Sequence, residues 1–454
     1  MAVALEALGA RGSYASRNPL AVRDVAGRHV ADLSLVPVPY VARTMSALHR
    51  AEPLDRSART EALHAAADLF EHGTIDGLDL EVYLHLVSEV SGLGISTGRE
   101  AAQKIVAYCH DAAEHADFAR PAAAMSSWSD PAIHRGGAMW VRRRSVFAVL
   151  TAGNHPGTHV SWIQALAVGY RVAIRPSRKE PFTPHRLVSA LRLGGFPDDV
   201  VALLPCDYDG ADEMVRSADL AMVYGGDDVM HKYSGSRTVM PQGPGRSKVL
   251  VTAGSDWEAS AALVADSITH GGGTGCTNAT GVLVDGDVSA FAEAVAAHLR
   301  VIPSLAPTDP SAVLPVQPLA AALDWRARLV PIVGDASAVL GLDGMVDDLG
   351  DGSAVMRPIV HVVSGPSAPQ LRAELPFPAA WIAPWNPAAG MAPLADTLVL
   401  TVTGGSEELL DRLIDEPGIR NVYAGAIPTY WTAPGVPHDG FLADFLMEPK
   451  GVRA

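Results

Sequence analysis

From Val146 onward, short apolar runs alternate with segments whose apolar residues recur every three or four positions. Val146-Phe-Ala-Val-Leu-Thr151, Arg171-Val-Ala-Ile-Arg175, Val200-Val-Ala-Leu-Leu204 and Leu220-Ala-Met-Val223 have the length and continuous apolarity of buried strands. Residues 160–168, 184–193 and 211–217, lying between them, read as helices. Apolar strands separated by helices predict a parallel sheet covered on both faces, with ligands beyond the carboxyl ends of its strands.

A second region of the same rhythm starts at Lys248-Val-Leu-Val-Thr252. It contains a helix over 257–269, the strand Gly281-Val-Leu-Val284, a helix over 290–299, the strand Pro358-Ile-Val-His-Val-Val363 and a helix over 407–414. Before these regions, residues 56–116 are helical in pattern. Residues 1–50, with runs such as Val36-Pro-Val-Pro-Tyr40, read as an arm over a body. Residues 126–145 carry Gly136-Gly137 between strand-like flanks and predict a hairpin leaving the body. The last stretch, 421–454, is rich in proline and aromatics and includes Pro437-His-Asp-Gly-Phe-Leu-Ala-Asp444.

Composition sharpens this picture. A chain of 454 residues, 48% hydrophobic and 19% charged, can bury a large core and predicts two or three domains. Three cysteines, Cys109, Cys206 and Cys276, are too few for a disulfide framework, and no His/Cys spacing suits a metal, so no metal site is expected. A formal charge of −15 argues against a nucleic-acid partner. The local exception, Arg142-Arg143-Arg144, reads as a strand end or subunit contact. The start, Met1-Ala-Val-Ala-Leu-Glu6, lacks a basic region followed by an apolar core, and no run approaches a membrane span, so a cytoplasmic protein is expected.

The candidate chemistry sits in His270-Gly-Gly-Gly-Thr-Gly-Cys276-Thr-Asn278. A thiol at the end of a glycine-rich loop is open to a substrate, and its own backbone N–H can point at the oxygen of the carbon it attacks. The other reading of Cys276 is a small buried hydrophobe, the usual state of a free cysteine. His270-Gly-Gly-Gly also matches the oxyanion loop of lipase-like hydrolases, but those need a Gly-x-Ser-x-Gly elbow, and the chain has none. His270 is a further candidate, as a proton partner for the thiol.

Several motifs in one order resemble the aldehyde dehydrogenase superfamily over roughly residues 146–385. Thr151-Ala-Gly-Asn154-His-Pro156 is similar to the family's Asn-Phe-Pro loop, whose asparagine amide helps hold the developing oxyanion. Arg175-Pro-Ser177-Arg178 resembles its Lys-Pro-Ser-Glu segment at the adenosine ribose. Val223-Tyr-Gly225-Gly226-Asp227-Asp-Val229 resembles its Phe-Thr-Gly-Ser-Thr-Glu-Val turn, with added negative charge. Gln242-Gly-Pro-Gly-Arg-Ser247 matches its Glu-Leu-Gly-Gly-Lys-Ser segment, 34 residues before Cys276. Glu374-Leu-Pro-Phe377 resembles Glu-Glu-Pro-Phe-Gly, whose second glutamate binds the nicotinamide ribose.

The resemblance implies an α/β fold of the aldehyde dehydrogenase type: a Rossmann-type cofactor domain (1–125 and 146–247), an α/β catalytic domain (248–424) and a small β bridging element (126–145 and 425–454). It implies a homodimer or homotetramer. It assigns Cys276, Asn154 and Gln242 to catalysis, and Arg175, Ser177, Arg178, Gly225, Gly226, Glu374 and Phe377 to the cofactor. Arginine at 178, where a carboxylate would repel a 2′-phosphate, tilts the cofactor towards NADP over NAD. Gln242 cannot take a proton from water as the family's glutamate does. The expected reaction is therefore NAD(P)H-dependent reduction of an acyl thioester, on coenzyme A or a carrier protein, to an aldehyde through a Cys276 thioester. The alternative is oxidation of a small aldehyde to an acid with a displaced base, such as a carboxylate near Asp227 or Glu374. An acyl-phosphate reductase would need a basic pocket beyond Arg246 and Lys248. Trp162, Trp381, Trp385 and Trp431 are candidates for lining the acyl pocket.

Overall fold

The computed structural model describes residues 2–453; Met1, with which the expected first domain begins, and Ala454, with which the tail ends, lie outside the described residues. Seven strands form the first sheet: β1 (Ala7–Gly9), β2 (Gly12–Tyr14), β3 (Val146–Leu150), β4 (Arg171–Arg175), β5 (Val201–Leu203), β6 (Leu220–Tyr224) and β7 (Val239–Gln242), in the order β7-β6-β3-β4-β5-β1-β2. The five from β3 to β7 are parallel. The arm does more than cover the body: β1 joins β5 antiparallel and extends the sheet, and Arg192 fastens it by donating to the carbonyls of Leu8 and Gly9.

Helices α1 (Val38–Arg50), α2 (Arg56–His72), α3 (Leu80–Ser91) and α4 (Ile95–Asp117) precede β3, and α5 (Val160–Ala167), α6 (Phe182–Leu193), α7 (Tyr208–Ser217) and α8 (Asp227–Lys232) connect the later strands. Val36-Pro-Val-Pro is the entry to α1, with a proline in its first turn, where its missing N–H costs nothing. Asp55 and Asp79 cap α2 and α3 by accepting from Ala58 and Val82. One core joins α2, α4, α5 and α6 to β3 and β4 through Phe70, Ile105, Phe147, Trp162, Tyr170 and Phe182.

The chain runs outward from β3 through β4 and β5, then returns to place β6 on the other side of β3. The strand order thus reverses between β3 and β6, and at such a switch the loops at the carboxyl ends diverge and leave a crevice.

The second sheet contains β8 (Ser247–Val251), β9 (Ala279–Val284), β10 (Ser337–Leu340), β11 (Ile359–Val362), β12 (Ala379–Pro384), β13 (Thr397–Thr403) and β14 (Ile419–Ala424), in the order β10-β11-β12-β9-β8-β13-β14. All neighbours are parallel except β10 with β11. Helices α9 (Trp257–Thr269) and α10 (Val288–Arg300) pack on it through Val264, Ile268, Phe291 and Val295. Together the two sheets give the two-sheet α/β architecture that the resemblance implies. Between Gln242, ending β7, and Ser247, opening β8, run only Gly243-Pro-Gly-Arg246. That short link sets the carboxyl ends of the first sheet against the amino ends of the second. Loops leaving the strands of the first sheet therefore face loops that enter strands of the second.

Residues 126–145 are not a hairpin. Asp130 caps a 3-10 turn over Pro131–Arg135, Gly136 ends it at φ 83°, and a single strand Gly137–Arg142 follows. Its antiparallel partner is Met447–Val452 at the far end of the chain, with Ala124–Met125 parallel on its other side. The basic run holds this junction: Arg142 donates to Gly169 O, and Arg143 to Phe445 O from its side chain and to Leu446 O from its backbone. Among the described residues no helix is long and apolar enough to cross a membrane.

Candidate active site

Cys276 lies between α9 and β9 on a loop that only glycine can build. Gly271, Gly272 and Gly273 take φ of 58°, 75° and 68° in succession, a left-handed run closed to residues with a β-carbon except at a cost. A β-carbon on Gly273 would also stand 2.6 Å from Pro378 N. Asn278 staples the loop: its Oδ1 accepts from Gly275 N at 2.7 Å, and its Nδ2 donates to His270 O at 2.9 Å and Ser267 O at 3.0 Å. The Cys276 carbonyl accepts from Ser247 Oγ at 3.0 Å, and a β-carbon on Gly245 would be 1.8 Å from that carbonyl. The cysteine loop and the link between the sheets are thus locked face to face.

The first sheet supplies the other wall. Asn154, in the loop after β3, donates from Nδ2 to Thr274 O at 2.6 Å, and Thr274 Oγ1 donates back to Asn154 O at 2.9 Å. This mutual tie brings the asparagine amide to within two residues of the thiol. The loop after β4 packs on the same segment, since a β-carbon on Gly153 would lie 2.0 Å from Ser177 Oγ. Arg175 donates to Cys206 O and lies over the Tyr208 ring, whereas Arg178 is exposed, and no ion pair among the described residues holds it. Gly225 follows β6 and donates to the carbonyl of Gln242, joining two of the motifs.

Asp227 does not cap α8. Both of its oxygens receive Arg246 Nη2, at 2.6 and 2.7 Å, while Arg246 Nη1 reaches Asp396 at 2.7 Å. The negative charge added to the family's turn is thereby neutralised. Lys248 is buried and donates to the carbonyls of Ala395 and Asp396. Neither cation is free to receive an anion.

Glu374, just before β12, aims its carboxylate at the link, accepting from Gly245 N at 3.2 Å and Arg246 N at 3.4 Å. Burial raises its pKa despite those two donors. Phe377, 1% exposed, packs with Leu375 and Trp381 in the core, closed off from the cleft. Trp162, Trp381 and Trp385 are core residues as well; only Trp431 is exposed, edge-on to Tyr423. His270 stacks on Tyr430 at 3.6 Å and approaches Glu100 at 3.6 Å, so its ring is committed there and not to the thiol.

The histidine at the thiol is His438, whose Nε2 lies 3.5 Å from Cys276 Sγ. It comes from the C-terminal stretch, 162 residues on, and its carbonyl is held by Asn421 Nδ2. Pro437-His-Asp-Gly gives little sign of this role in the sequence; the only signal is an imidazole beside a carboxylate in a proline- and glycine-rich stretch. Cys276 retains accessible surface, yet its surroundings push its pKa up to about 12, through burial first, then the charges of Glu374 and Asp439. The N–H groups of Cys276 and Thr277 work the other way. Burial also lowers the pKa of His438, against the pull of Asp439. At neutral pH the pair rests as thiol and imidazole. Cys109 and Cys206 are buried and unpaired, and no cluster among the described residues could hold a metal.

The cleft suits a dinucleotide. It opens at the switch between β3 and β6, with side-chain-free Gly225 and Gly226, an exposed guanidinium at Arg178 and a half-buried carboxylate at Glu374.

A model described as "Aldehyde dehydrogenase family" matches residues 39–389. Solved structures match over nearly the whole chain. The NAD-dependent aldehyde dehydrogenase from Sinorhizobium meliloti has a TM-score of 0.84 at 18% identity, covering 100% of this chain and 95% of its own. For the gamma-glutamyl-gamma-aminobutyraldehyde dehydrogenase from Burkholderia cenocepacia the TM-score is 0.81 at 19% identity, with 100% and 97% covered. For the glyceraldehyde-3-phosphate dehydrogenase from Methanocaldococcus jannaschii, complexed with NADP, it is 0.80 at 14% identity, with 96% and 99% covered. No curated protein matches the sequence.

Proposed function

The chain belongs to the aldehyde dehydrogenase family and is an oxidoreductase of that type, and on that premise we propose that it uses NAD(P) to oxidise an aldehyde to a carboxylic acid through a thioester on Cys276. The observation that carries this reading is that Asn154 is tied to Thr274, two residues before Cys276, while Glu374 accepts from the Gly245–Arg246 link that packs on the Cys276 carbonyl.

The Cys276 sulfur adds to the aldehyde carbon, and the carbonyl π pair moves to oxygen, where the Asn154 amide and the Cys276 N–H stabilise it. When bound, a nicotinamide dinucleotide supplies the hydride acceptor that turns this adduct into a thioester. Release needs a base for water. Gln242, neutral and half-buried at the end of β7, cannot be that base. Glu374 fills the gap: its charge bears on the Cys276 sulfur, and a carboxyl with a raised pKa is the better proton acceptor. The resemblance gave Glu374 to the nicotinamide ribose, and Glu374→Gln distinguishes the two roles.

Gln242 favours one second reading. Without a glutamate there, the thioester survives longer and can pass to a thiol such as coenzyme A, or be formed from an acyl thioester and reduced. Arg178 supports NADP over NAD in either direction. The junction of strands Gly137–Arg142 and Met447–Val452 is the proposed edge for a homodimer or homotetramer.

The test is NADPH formation from NADP and a panel of aldehydes, with and without coenzyme A, with product analysis. Free acid formed without added thiol supports the oxidation. Turnover that requires coenzyme A, with acyl-CoA as product, replaces it by the second reading.

A further inference from the structure

We propose that His438 is the catalytic base of the acylation half-reaction, removing the proton from Cys276 as the sulfur attacks. This inference rests on the reading of Cys276 as the nucleophile and adds to it the group that makes a resting thiol reactive.

Three independent features support it. The first is geometry: Nε2 stands 3.5 Å from Sγ, within sulfur hydrogen-bond reach, and the remaining imidazole surface is open to the cleft. The second is fixation. Asn421, 8% exposed on β14, donates to the carbonyls of both His438 and Leu398, tying the tail to the strand beside the catalytic loop. Next in sequence, Asp439 lies 3.8 Å from Arg420. The third is need. A thiol with its pKa near 12 holds almost no thiolate at neutral pH, and the nearest carboxylates, Glu374 and Asp439, disfavour the anion further. A base that stays neutral at pH 7 is what such a thiol lacks, and His438, with its pKa below the ordinary imidazole value, is in that form.

In the step, the S–H bond breaks and its proton goes to His438 Nε2. The sulfur pair forms the bond to the carbonyl carbon, and the π pair goes to oxygen. The imidazolium, beside Asp439, later returns the proton to solvent or to a leaving oxygen. The groups facing the pair are Glu374 from the segment before β12, Asp439 on the tail, and the Tyr224 hydroxyl at the end of β6, whose pKa is raised by burial and by the charges of Cys276 and Asp439.

The experiment needs neither cofactor nor aldehyde. Acetylation of Cys276 by p-nitrophenyl acetate is followed as a nitrophenolate burst, with the acetyl group located by peptide mass, in the wild type, His438→Gln and His438→Ala. Removal of the base slows acetylation by about 10²-fold or more. The wild-type rate is level across neutral pH and falls on the acid side, where His438 takes up a proton. In His438→Gln it climbs by about tenfold per pH unit, because only thiolate remains reactive. Added imidazole accelerates His438→Ala. Wild-type acetylation rates in both variants overturn the proposal. So does a slowed rate with an unchanged pH profile and no response to imidazole, which marks a packing role. If acetylation depends on His438 while no aldehyde is oxidised, the proposed overall reaction fails and the role of His438 stands.

Discussion

Arg246 grips Asp227 through one guanidinium nitrogen at 2.6 and 2.7 Å, clasping the turn after β6 to the link that leads into the second sheet. The same side chain reaches Asp396, so one cation, 10% exposed, serves two carboxylates. Arg246→Ala leaves Asp227 without its cation, whereas Asp396 keeps Arg372 at 2.6 Å. Because Asp227 is largely exposed, the stability loss is modest, about 1–3 kcal/mol. The larger effect falls on binding: titration calorimetry with NADP should show weakened affinity, partly restored by Asp227→Asn.

Asn278 carries three hydrogen bonds that no other residue supplies. Asn278→Ala strands Gly275 N and two carbonyls in a mostly buried loop, at a cost of about 2–4 kcal/mol in chemical denaturation. Cys276 loses its fixed position, so turnover falls further than stability. Wild-type turnover in a destabilised Asn278→Ala enzyme would contradict the staple.

Glu374→Gln separates the two roles open to that carboxylate. As the base for water, its loss leaves the first-turnover burst of NADPH intact and slows the steady state by about 10²-fold or more. A role confined to cofactor binding predicts the opposite, a raised Kd with little change at saturating NADP.

Arg178 is exposed at the end of β4 and free to meet a phosphate. Arg178→Glu should reverse the preference between NADP and NAD, measured as the ratio of kcat/KM for the two, by about 10²-fold or more, since a good charge contact becomes a repulsion. An unchanged ratio would detach this residue from cofactor choice.

Glu180 gives a pH signature of the fold. It is 2% exposed, accepts from Thr183 N at 2.8 Å, and burial raises its pKa to about 7. An unfolded glutamate titrates near 4.3. Between these values the folded state holds the extra proton, so this contribution is full below about pH 4 and is lost as pH rises through 7. Glu180→Gln keeps the acceptor and removes the titration. Relative to wild type it should gain up to about 3 kcal/mol between pH 4 and pH 8; parallel stability curves would refute this.

Much of both sheets was legible because their strands are apolar on both faces: the strand Arg171–Arg175 of the first and the helix Trp257–Thr269 on the second fall where periodicity places them. Other features depend on chain-distant partners. Gly137–Arg142 looks like half of a local hairpin, but its mate is Met447–Val452, and no local pattern encodes a pairing so distant in sequence. Thr397–Thr403 is a fully buried strand whose threonines break the apolar run that marks its neighbours, so periodicity does not single it out. At the site, the glycines, Cys276, Asn154 and Glu374 were readable from motifs, because each sits in a loop with a distinctive local sequence. His438 was not, since it becomes meaningful only once Asn421 brings the tail to the thiol. Three of the four tryptophans proposed for the acyl pocket proved to be core residues, a burial that no local pattern announces.

The most direct test of the central claim is peptide mass mapping after quenching the enzyme in acid during turnover of an aldehyde with NADP. The account predicts one acyl group on the peptide containing Cys276, dependent on the oxidised cofactor and absent from Cys276→Ala, which makes no NADPH. NADPH formation without an acyl group on Cys276, or with full activity in Cys276→Ala, would contradict it.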